Sequence, residues 1–193
     1  MLRRACLLGF TATVLWAAAP FALAADPPQA VAEEDVQVQR SGQGFTVDLS
    51  FYAPVPPAQA WAVLTDFEHM PEFLPNLTSS HVDKLSDTEL KVSQTGVAKY
   101  GVFSANFESI REITLTPETE IHAHGVGGNL QHLESVMQLH PEGSGTKLVY
   151  HVEALAGFWF PPLIGPSLVR HDTAAQFSAM VREMLRRRGT ATL

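Results

Sequence analysis

Period-two alternation of apolar and polar residues fills most of the chain between positions 45 and 155. In the first run, the apolar positions are Phe45, Val47, Leu49 and Phe51, with Thr46, Asp48, Ser50 and Tyr52 between them. This pattern is typical of a strand with one buried face. Further strands are predicted at 78–85, 89–99, 102–115, 119–126, 130–140 and 146–155. The links between these later runs are short, so neighbouring runs are expected to pair as antiparallel strands.

The end of the chain has a different periodicity. After Gly165-Pro166-Ser167 there is no Pro or Gly until Gly189, and Ser167 is a suitable N-cap. Apolar residues recur at helical spacing at Ala174, Phe177, Met180, Val181 and Met184. Arg186, Arg187 and Arg188 suit the negative end of the helix dipole, and Gly189 suits the position just past it. One long helix against seven antiparallel strands predicts an α+β two-layer fold.

The segment between the first and second strands predicts two short helices. Pro57 suits a first helical turn, and Asp66 is expected to cap the second helix before Pro75 ends it. The apolar positions of the two helices are Ala60, Trp61 and Leu64, then Met70, Phe73 and Leu74. Such short apolar faces must pack against something larger. Their aromatic residues are interpreted as core residues or, alternatively, as the lining of a ligand pocket.

This segment reads W-x-x-L-T-D-F-E-x-M-P-E-F-L-P-N over Trp61 to Asn76. A strand, this motif, further strands and a long C-terminal helix resemble the START-like (SRPBCC, helix-grip) superfamily, and within it the polyketide cyclase/dehydrase and coenzyme Q-binding groups. The resemblance covers about residues 44–188, and the domain is placed at 44–189. It implies a curved seven-stranded sheet wrapped around the C-terminal helix, with the helical pair closing one end of a cavity. A hydrophobic small molecule such as a lipid, quinone or polyketide is the ligand implied.

Strand parity and helix periodicity predict the lining of this cavity. The expected ligand-binding residues are Phe67, Met70, Phe73, Leu74, Phe107, Met137, Tyr150, Phe177, Met180, Val181 and Met184. Gln94, Arg111 and Tyr150 are the polar side chains of inward parity. An interior guanidinium must pair, reach solvent or meet a ligand oxygen. Alternatively, a bulge near Ser109 turns Ile110 inward and Arg111 outward. Tyr150 is either a core residue with a satisfied hydroxyl or a ligand contact.

The first 24 residues have the pattern of a secretory signal peptide. A positive start with Arg3 and Arg4 precedes an apolar stretch, and Ala22-Leu23-Ala24 is a small-x-small cleavage site. An uncleaved membrane anchor is the alternative, and both interpretations predict a periplasmic or secreted domain. Residues 25–43 contain Pro27, Pro28, Gly42 and four acidic residues with little apolar periodicity, which indicates a flexible linker. The single cysteine, Cys6, lies in the leader, so no disulfide is expected.

The charge of the chain argues against nucleic-acid binding. The net charge is −7, and it becomes −9 when the leader with Arg3 and Arg4 is removed, because 11 basic residues then face 20 acidic ones. Nucleic-acid binding proteins neutralise phosphates with Lys and Arg. The hydrophobic ligand that the family resemblance implies remains the expected partner.

The aromatic segment Phe158, Trp159 and Phe160 forms either a packed hinge or a lip for transient membrane contact.

A metal site and a catalytic site are the alternatives to a simple binding cavity. His122 and His124 form H-x-H on one strand, with His132 on the next. A two-residue Gly127-Gly128 turn would pair His124 with Gln131 and put His132 on the opposite face, so no metal and no other cofactor is expected. A cyclase or dehydratase using Tyr150, Arg111 and Gln94 is the enzymatic alternative. The third alternative is a structural or interaction module acting through the outer sheet face.

Overall fold

The computed structural model describes residues 31–42, 44–100, 103–156 and 165–190. Its strands are β1 (Gln37–Ser41), β2 (Gly44–Ala53), β3 (Leu77–Lys84), β4 (Glu89–Tyr100), β5 (Phe103–Thr116), β6 (Glu120–Gly128), β7 (Leu130–Glu142) and β8 (Gly145–Ala156). Its α-helices are α1 (Pro57–Leu64), α2 (Met70–Phe73) and α3 (Gly165–Thr190), with 3₁₀ turns at Glu33–Asp35 and Phe67–His69.

All the strands belong to one antiparallel sheet in the order β1-β2-β8-β7-β6-β5-β4-β3. Helix α3 contacts β1, β2 and β4 and also packs against α1 and α2. The α+β helix-grip fold expected from the sequence is therefore confirmed. Every strand predicted after the helical pair is present, and its ends lie within two residues of the predicted ones.

The sheet has eight strands in the described residues, and the prediction of seven was wrong by one. The additional strand, β1, lies in segment 25–43, which was expected to be a linker, and it pairs with β2 through Val38 and Val47. Val31 and Val36, just before it, are fully buried. The Val31 N–H donates to Ser178 Oγ (3.1 Å), and the Ser178 hydroxyl donates back to the Val31 carbonyl (3.2 Å). Periodicity missed β1 because this short strand offers only one apolar residue, Val38, between Gln37 and Ser41, which is too few to show alternation.

The helical pair begins at Pro57, as predicted. Asp66, however, does not cap the following turn with its side chain, so this expectation was wrong. Its Oδ1 lies 2.6 Å from His69 Nδ1, and its Oδ2 accepts a hydrogen bond from Arg187 Nη2 at 2.7 Å. The carboxylate is therefore occupied by a basic residue of α3, a partner that local sequence could not reveal.

Helix α3 is longer than predicted. Ser167 and Gly189 both lie inside it, so neither is a terminal residue as expected. Pro166 is compatible with this position because proline is tolerated in a first helical turn. On the buried face, the Phe177 ring lies 5.1 Å from that of Phe51 and 4.9 Å from that of Tyr150, centroid to centroid. These contacts hold α3 against β2 and β8.

Candidate ligand cavity

A cavity of about 320 Å³ lies between the inner face of the sheet, α3 and the helical pair. Strands β2 and β4 to β8 supply one wall, and α3 supplies the opposite one. Leu64, Phe67, Met70 and Leu74 close one end of it. Most of its lining is apolar because the inward positions of the strands are mainly Val, Ile, Leu, Met, Phe and Ala.

Most of the predicted site residues meet in this cavity. Those that line it are Phe67, Met70, Leu74, Phe107, Met137, Tyr150, Phe177 and Met180. Phe73, Val181 and Met184 do not line it. The Phe73 ring instead packs under the Arg187 guanidinium, 5.7 Å from ring centroid to Cζ. Val181 and Met184 are buried in the core near α1, where Gln59 Nε2 donates to the Met184 carbonyl at 2.7 Å.

Several lining residues were missed by the sequence analysis. On the strands these include Phe45, Val47, Ile113, Ile121 and Ala123, whose parity already indicated an inward side chain. On α3, the missed residues Leu168, Asp172 and Gln176 precede the predicted Met180 at four-residue spacing, and the four form one stripe. Two of these residues are polar, so a search for apolar periodicity passed over them. The four-residue spacing was the signal that could have found the stripe.

Arg111 lines the cavity, so the interpretation that turned it outward was wrong. A bulge does exist beside it, because Ile110 pairs with Gly127 whereas Arg111 pairs with Gly125. The extra residue is therefore Val126 of β6, and the alternation of β5 is undisturbed.

The other two polar candidates, Gln94 and Tyr150, surround this guanidinium. Arg111 Nη2 donates to Gln94 Oε1, and Gln94 Nε2 donates to Ser80 Oγ at 3.0 Å. Arg111 Nε is buried and, within the described ranges, has no hydrogen-bond partner. Burial lowers the pKa of Arg111 and raises that of Tyr150, while each group partly offsets the shift of the other. A guanidinium remains protonated in proteins, so the cavity contains a positive charge.

Asp172 is the acidic group of the cavity lining. Asn76 Nδ2, at the end of the helical segment, donates to its Oδ1 at 3.0 Å. Burial raises the pKa of Asp172, and the hydrogen bond from Asn76 partly offsets this effect. Among the described residues, no ion pair or hydrogen bond joins Asp172 to Arg111. Asp172 therefore does not neutralise the guanidinium.

The histidines of β6 and β7 lie on the outer face of the sheet. His124 pairs with Glu134 and not with Gln131, so the expected register was wrong by three residues. An odd shift reverses parity, and His132 therefore shares the outer face with His122 and His124. His122 Nε2 lies 3.4 Å from a Glu134 oxygen, and His124 Nδ1 contacts the same carboxylate. Across the described ranges, no group of three or more His, Cys, Asp or Glu side chains is arranged to hold a metal ion.

Two expectations fall outside the described residues. They are the signal peptide at 1–24 and the aromatic segment Phe158, Trp159 and Phe160. Within the part of the chain that the structure describes, none of the helices combines the length and apolar character that crossing a membrane requires.

A family model for polyketide cyclase / dehydrase and lipid transport matches residues 53–178. The chain belongs to this family. The match begins at the end of β2 and extends into α3, so it includes the helical pair and most of the cavity lining. The predicted membership of the START-like superfamily is thereby confirmed, and the family points to a hydrophobic small-molecule ligand. No curated protein matches the sequence significantly.

Solved structures show the same fold for this family member. The Zhui aromatase/cyclase from Streptomyces sp. R1128 is 14% identical with a TM-score of 0.63, over 75% of this chain and 95% of that one. A START superfamily protein from Mycobacterium smegmatis is 14% identical with a TM-score of 0.61, over 73% and 97%. A STAR-related lipid transfer protein from Xanthomonas axonopodis is 13% identical with a TM-score of 0.61, over 78% and 98%. At these identities the likeness concerns the fold alone.

Proposed function

We propose that this protein is an exported carrier that holds a hydrophobic small molecule, such as a lipid, a quinone or a polyketide, between the sheet and α3. The observation that carries this proposal is the apolar cavity of about 320 Å³ inside the core. Ligand pockets range over about 300–1,000 Å³, and this volume suits a small ligand. Each buried methylene contributes about 0.8 kcal/mol before ordering costs, so a ligand with ten methylenes gains about 8 kcal/mol. Useful affinity therefore requires no conspicuous motif.

Two further observations support this proposal. The structural neighbours include a lipid transfer protein, so the same fold is associated with lipid carriage elsewhere. Residues 1–24 have the composition of a signal peptide, which supports export. Mass spectrometry of the protein from a periplasmic or culture fraction tests export directly. We expect a mature chain that starts at Ala25, whereas an intact leader in the membrane fraction would favour the anchor alternative.

Ligand identification tests carriage. The full chain is purified without detergent, and native mass spectrometry followed by solvent extraction identifies any bound lipid or quinone. The delipidated protein is then titrated with N-phenyl-1-naphthylamine, an uncharged probe that fluoresces in apolar sites. We expect one bound probe per chain. A folded protein that takes up neither ligand nor probe would contradict carriage and favour a structural or interaction module.

A matched pair of variants locates the probe. Ala123 lines the cavity on β6, whereas Val126 on the same strand is 43% exposed. Ala123→Phe should fill the cavity and weaken probe binding at least 10-fold, and Val126→Phe should leave it unchanged. Circular dichroism verifies that both variants are folded. Equal binding by the two variants would place the probe outside the cavity.

A second candidate function is a cyclase or dehydratase reaction in the same cavity. The specific observation in its favour is that Tyr150, Arg111 and Gln94 meet there, and an aromatase/cyclase shares the fold. Positioned acid/base groups in a shaped cavity are sufficient for such chemistry. The test is incubation with a poly-β-keto thioester, followed by mass analysis of cyclised products. Turnover that is lost in Tyr150→Phe while probe affinity is kept would support catalysis, and absence of turnover in the parent protein would exclude it for this substrate class.

A further inference from the structure

We propose that the cavity selects a single-chain amphiphile with an anionic carboxylate head, and that the buried guanidinium of Arg111 receives this carboxylate. This inference rests on the proposed carrier function and specifies the chemical class of its ligand. It assigns a head-group site to β4, β5, β7 and β8, and a tail site to α3 and the helical pair.

The first observation is an uncompensated charge. The described partner of the Arg111 guanidinium is the neutral amide of Gln94, and its buried Nε has no hydrogen-bond partner among the residues that the structure describes. Buried charges in proteins are normally paired, because an unpaired one costs several kcal/mol. A ligand carboxylate would supply the missing counter-ion in a charge-assisted hydrogen bond.

The second observation is that the charge is accessible to a ligand. Arg111 lines the cavity, and its side chain as a whole is only partly buried although its Nε is covered. Gln94 holds one guanidinium nitrogen, and Gln94 is itself anchored by Ser80. The cation is therefore fixed in orientation before a ligand arrives, which reduces the ordering cost of binding.

The third observation is that neutral polar groups share the sheet side of the cavity with Arg111. Ser109 is directly opposite Gln94 in the β4–β5 pair and two residues from Arg111. Ser135 of β7 hydrogen-bonds with Tyr150, and Tyr150 interacts electrostatically with Arg111. These hydroxyl groups can donate to carboxylate oxygens without adding negative charge. Phe67 and Leu74 on the helical pair provide an apolar surface for the tail.

The fourth observation is stoichiometric. Arg111 is the one Lys or Arg side chain among the described lining residues, and its charge balances one negative charge. A carboxylate carries one charge at neutral pH, whereas a phosphate monoester carries close to two and would leave an uncompensated buried anion. The volume of about 320 Å³ also lies near the lower limit for ligand pockets, which favours one chain.

Three ligands of equal chain length test the head-group preference. Decanoate, 1-decanol and decyltrimethylammonium each displace N-phenyl-1-naphthylamine from the delipidated full chain at pH 8. We expect decanoate to bind at least 10-fold more tightly than decanol, and the cation to bind most weakly. Decanol binding as tightly as decanoate would overturn the proposal. Decyl phosphate binding more tightly than decanoate would overturn the assignment to a carboxylate.

Two variants assign the preference to Arg111. Arg111→Met should weaken decanoate binding at least 10-fold. Its affinity for decanol should stay within 3-fold of that of the parent protein. Gln94→Glu places an internal carboxylate beside the guanidinium, so it should also weaken decanoate selectively in a folded protein, even if Arg111→Met does not fold. Unchanged decanoate affinity in a folded variant of either kind would overturn the role of Arg111. If no alkyl ligand and no probe binds the parent protein, the carrier function itself fails.

Discussion

Arg187 Nη2 donates to Asp66 Oδ2 at 2.7 Å and so connects the last turns of α3 to the loop that follows α1. The same guanidinium donates through Nε to Glu183 Oε1 at 2.7 Å. Arg186 forms a bidentate pair with Glu183, with both distances 2.7 Å. The Glu183 side chain is only 8% exposed. This network fastens the helical pair, and therefore one end of the cavity, to the C-terminal helix.

Replacing Glu183 should alter the pH dependence of stability. Hydrogen bonds from Arg186 and then Arg187 lower the pKa of Glu183 from 4.5 to about 2, against the opposing effect of burial. A depressed folded-state pKa stabilises the protein above the unfolded pKa, and this contribution is lost as the pH falls from about 5 to about 2. Arg186 is exposed, so solvent screens part of its interaction with Glu183. We therefore expect the ionised Glu183 carboxylate to contribute about 2 kcal/mol to the free energy of unfolding.

Urea unfolding at pH 7 and pH 3 measures this effect. Glu183→Gln should lower the free energy of unfolding by about 2 kcal/mol at pH 7 and by much less at pH 3. The exposed Glu142 provides the control, because Glu142→Gln should change little at either pH. An equal loss at both pH values would show that the ionised carboxylate is not the cause.

Removing the buried charge of Arg111 should stabilise the unliganded protein. A buried cation without a counter-ion pays a desolvation penalty, so Arg111→Met should raise the free energy of unfolding by about 1–3 kcal/mol. Gln94→Leu removes the hydrogen-bond acceptor of Arg111 and should lower the free energy of unfolding by about 1–3 kcal/mol. The double variant should resemble Arg111→Met, and urea unfolding of all four proteins measures the coupling. Additive effects would indicate that the two side chains do not interact.

Gly96 should not tolerate a methyl group. A Cβ at this position would lie 2.1 Å from the Asn76 carbonyl oxygen and 2.4 Å from Phe107 Cζ. That carbonyl accepts a hydrogen bond from the Val97 N–H at 2.8 Å, so it cannot move freely. Gly96→Ala should lower the free energy of unfolding by about 3 kcal/mol.

Gly189 provides the opposite comparison for the same measurement. It lies inside α3, and a Cβ there would have no neighbour within 4 Å among the described residues. Gly189→Ala should therefore raise the free energy of unfolding by about 0.5–1 kcal/mol. Similar values for the two substitutions would refute the close approach of Gly96 and Asn76.

Ser178 should hold the N-terminal segment in place. Its hydroxyl accepts from the buried Val31 N–H and donates to the Val31 carbonyl, so Ser178→Ala leaves both groups unsatisfied. We expect Ser178→Ala to lower the free energy of unfolding, measured with urea, by about 1–3 kcal/mol. Proteases should also cleave the segment that precedes β1 faster in this variant. The control is Ser50→Ala, at an exposed position of β2, which should change the free energy of unfolding by no more than about 0.5 kcal/mol. Equal behaviour of the two variants would argue against anchoring by Ser178.

Strand periodicity was the most reliable source of prediction for this chain. Successive side chains of a strand point to opposite faces, so parity alone placed Gln94, Arg111 and Tyr150 inside. The helical stripe of α3 was only partly predicted, because Asp172 and Gln176 are polar residues on a cavity-facing surface. Strand β1 was missed because its five residues contain one apolar side chain, Val38, and so show no alternation, although the strand pairs with the adjacent β2.

The sequence by itself determined the order of the elements, the buried face of each strand and the superfamily, because these follow from local periodicity and one motif. Only the tertiary structure decided the β6–β7 register, the pairing of Asp66 with Arg187 and the position of the bulge at Val126. Each of these depends on which distant groups satisfy a hydrogen bond or a charge. The same is true of Arg111, whose inward parity was readable from sequence but whose lack of a counter-ion among the described residues appears only when its neighbours are assembled around it.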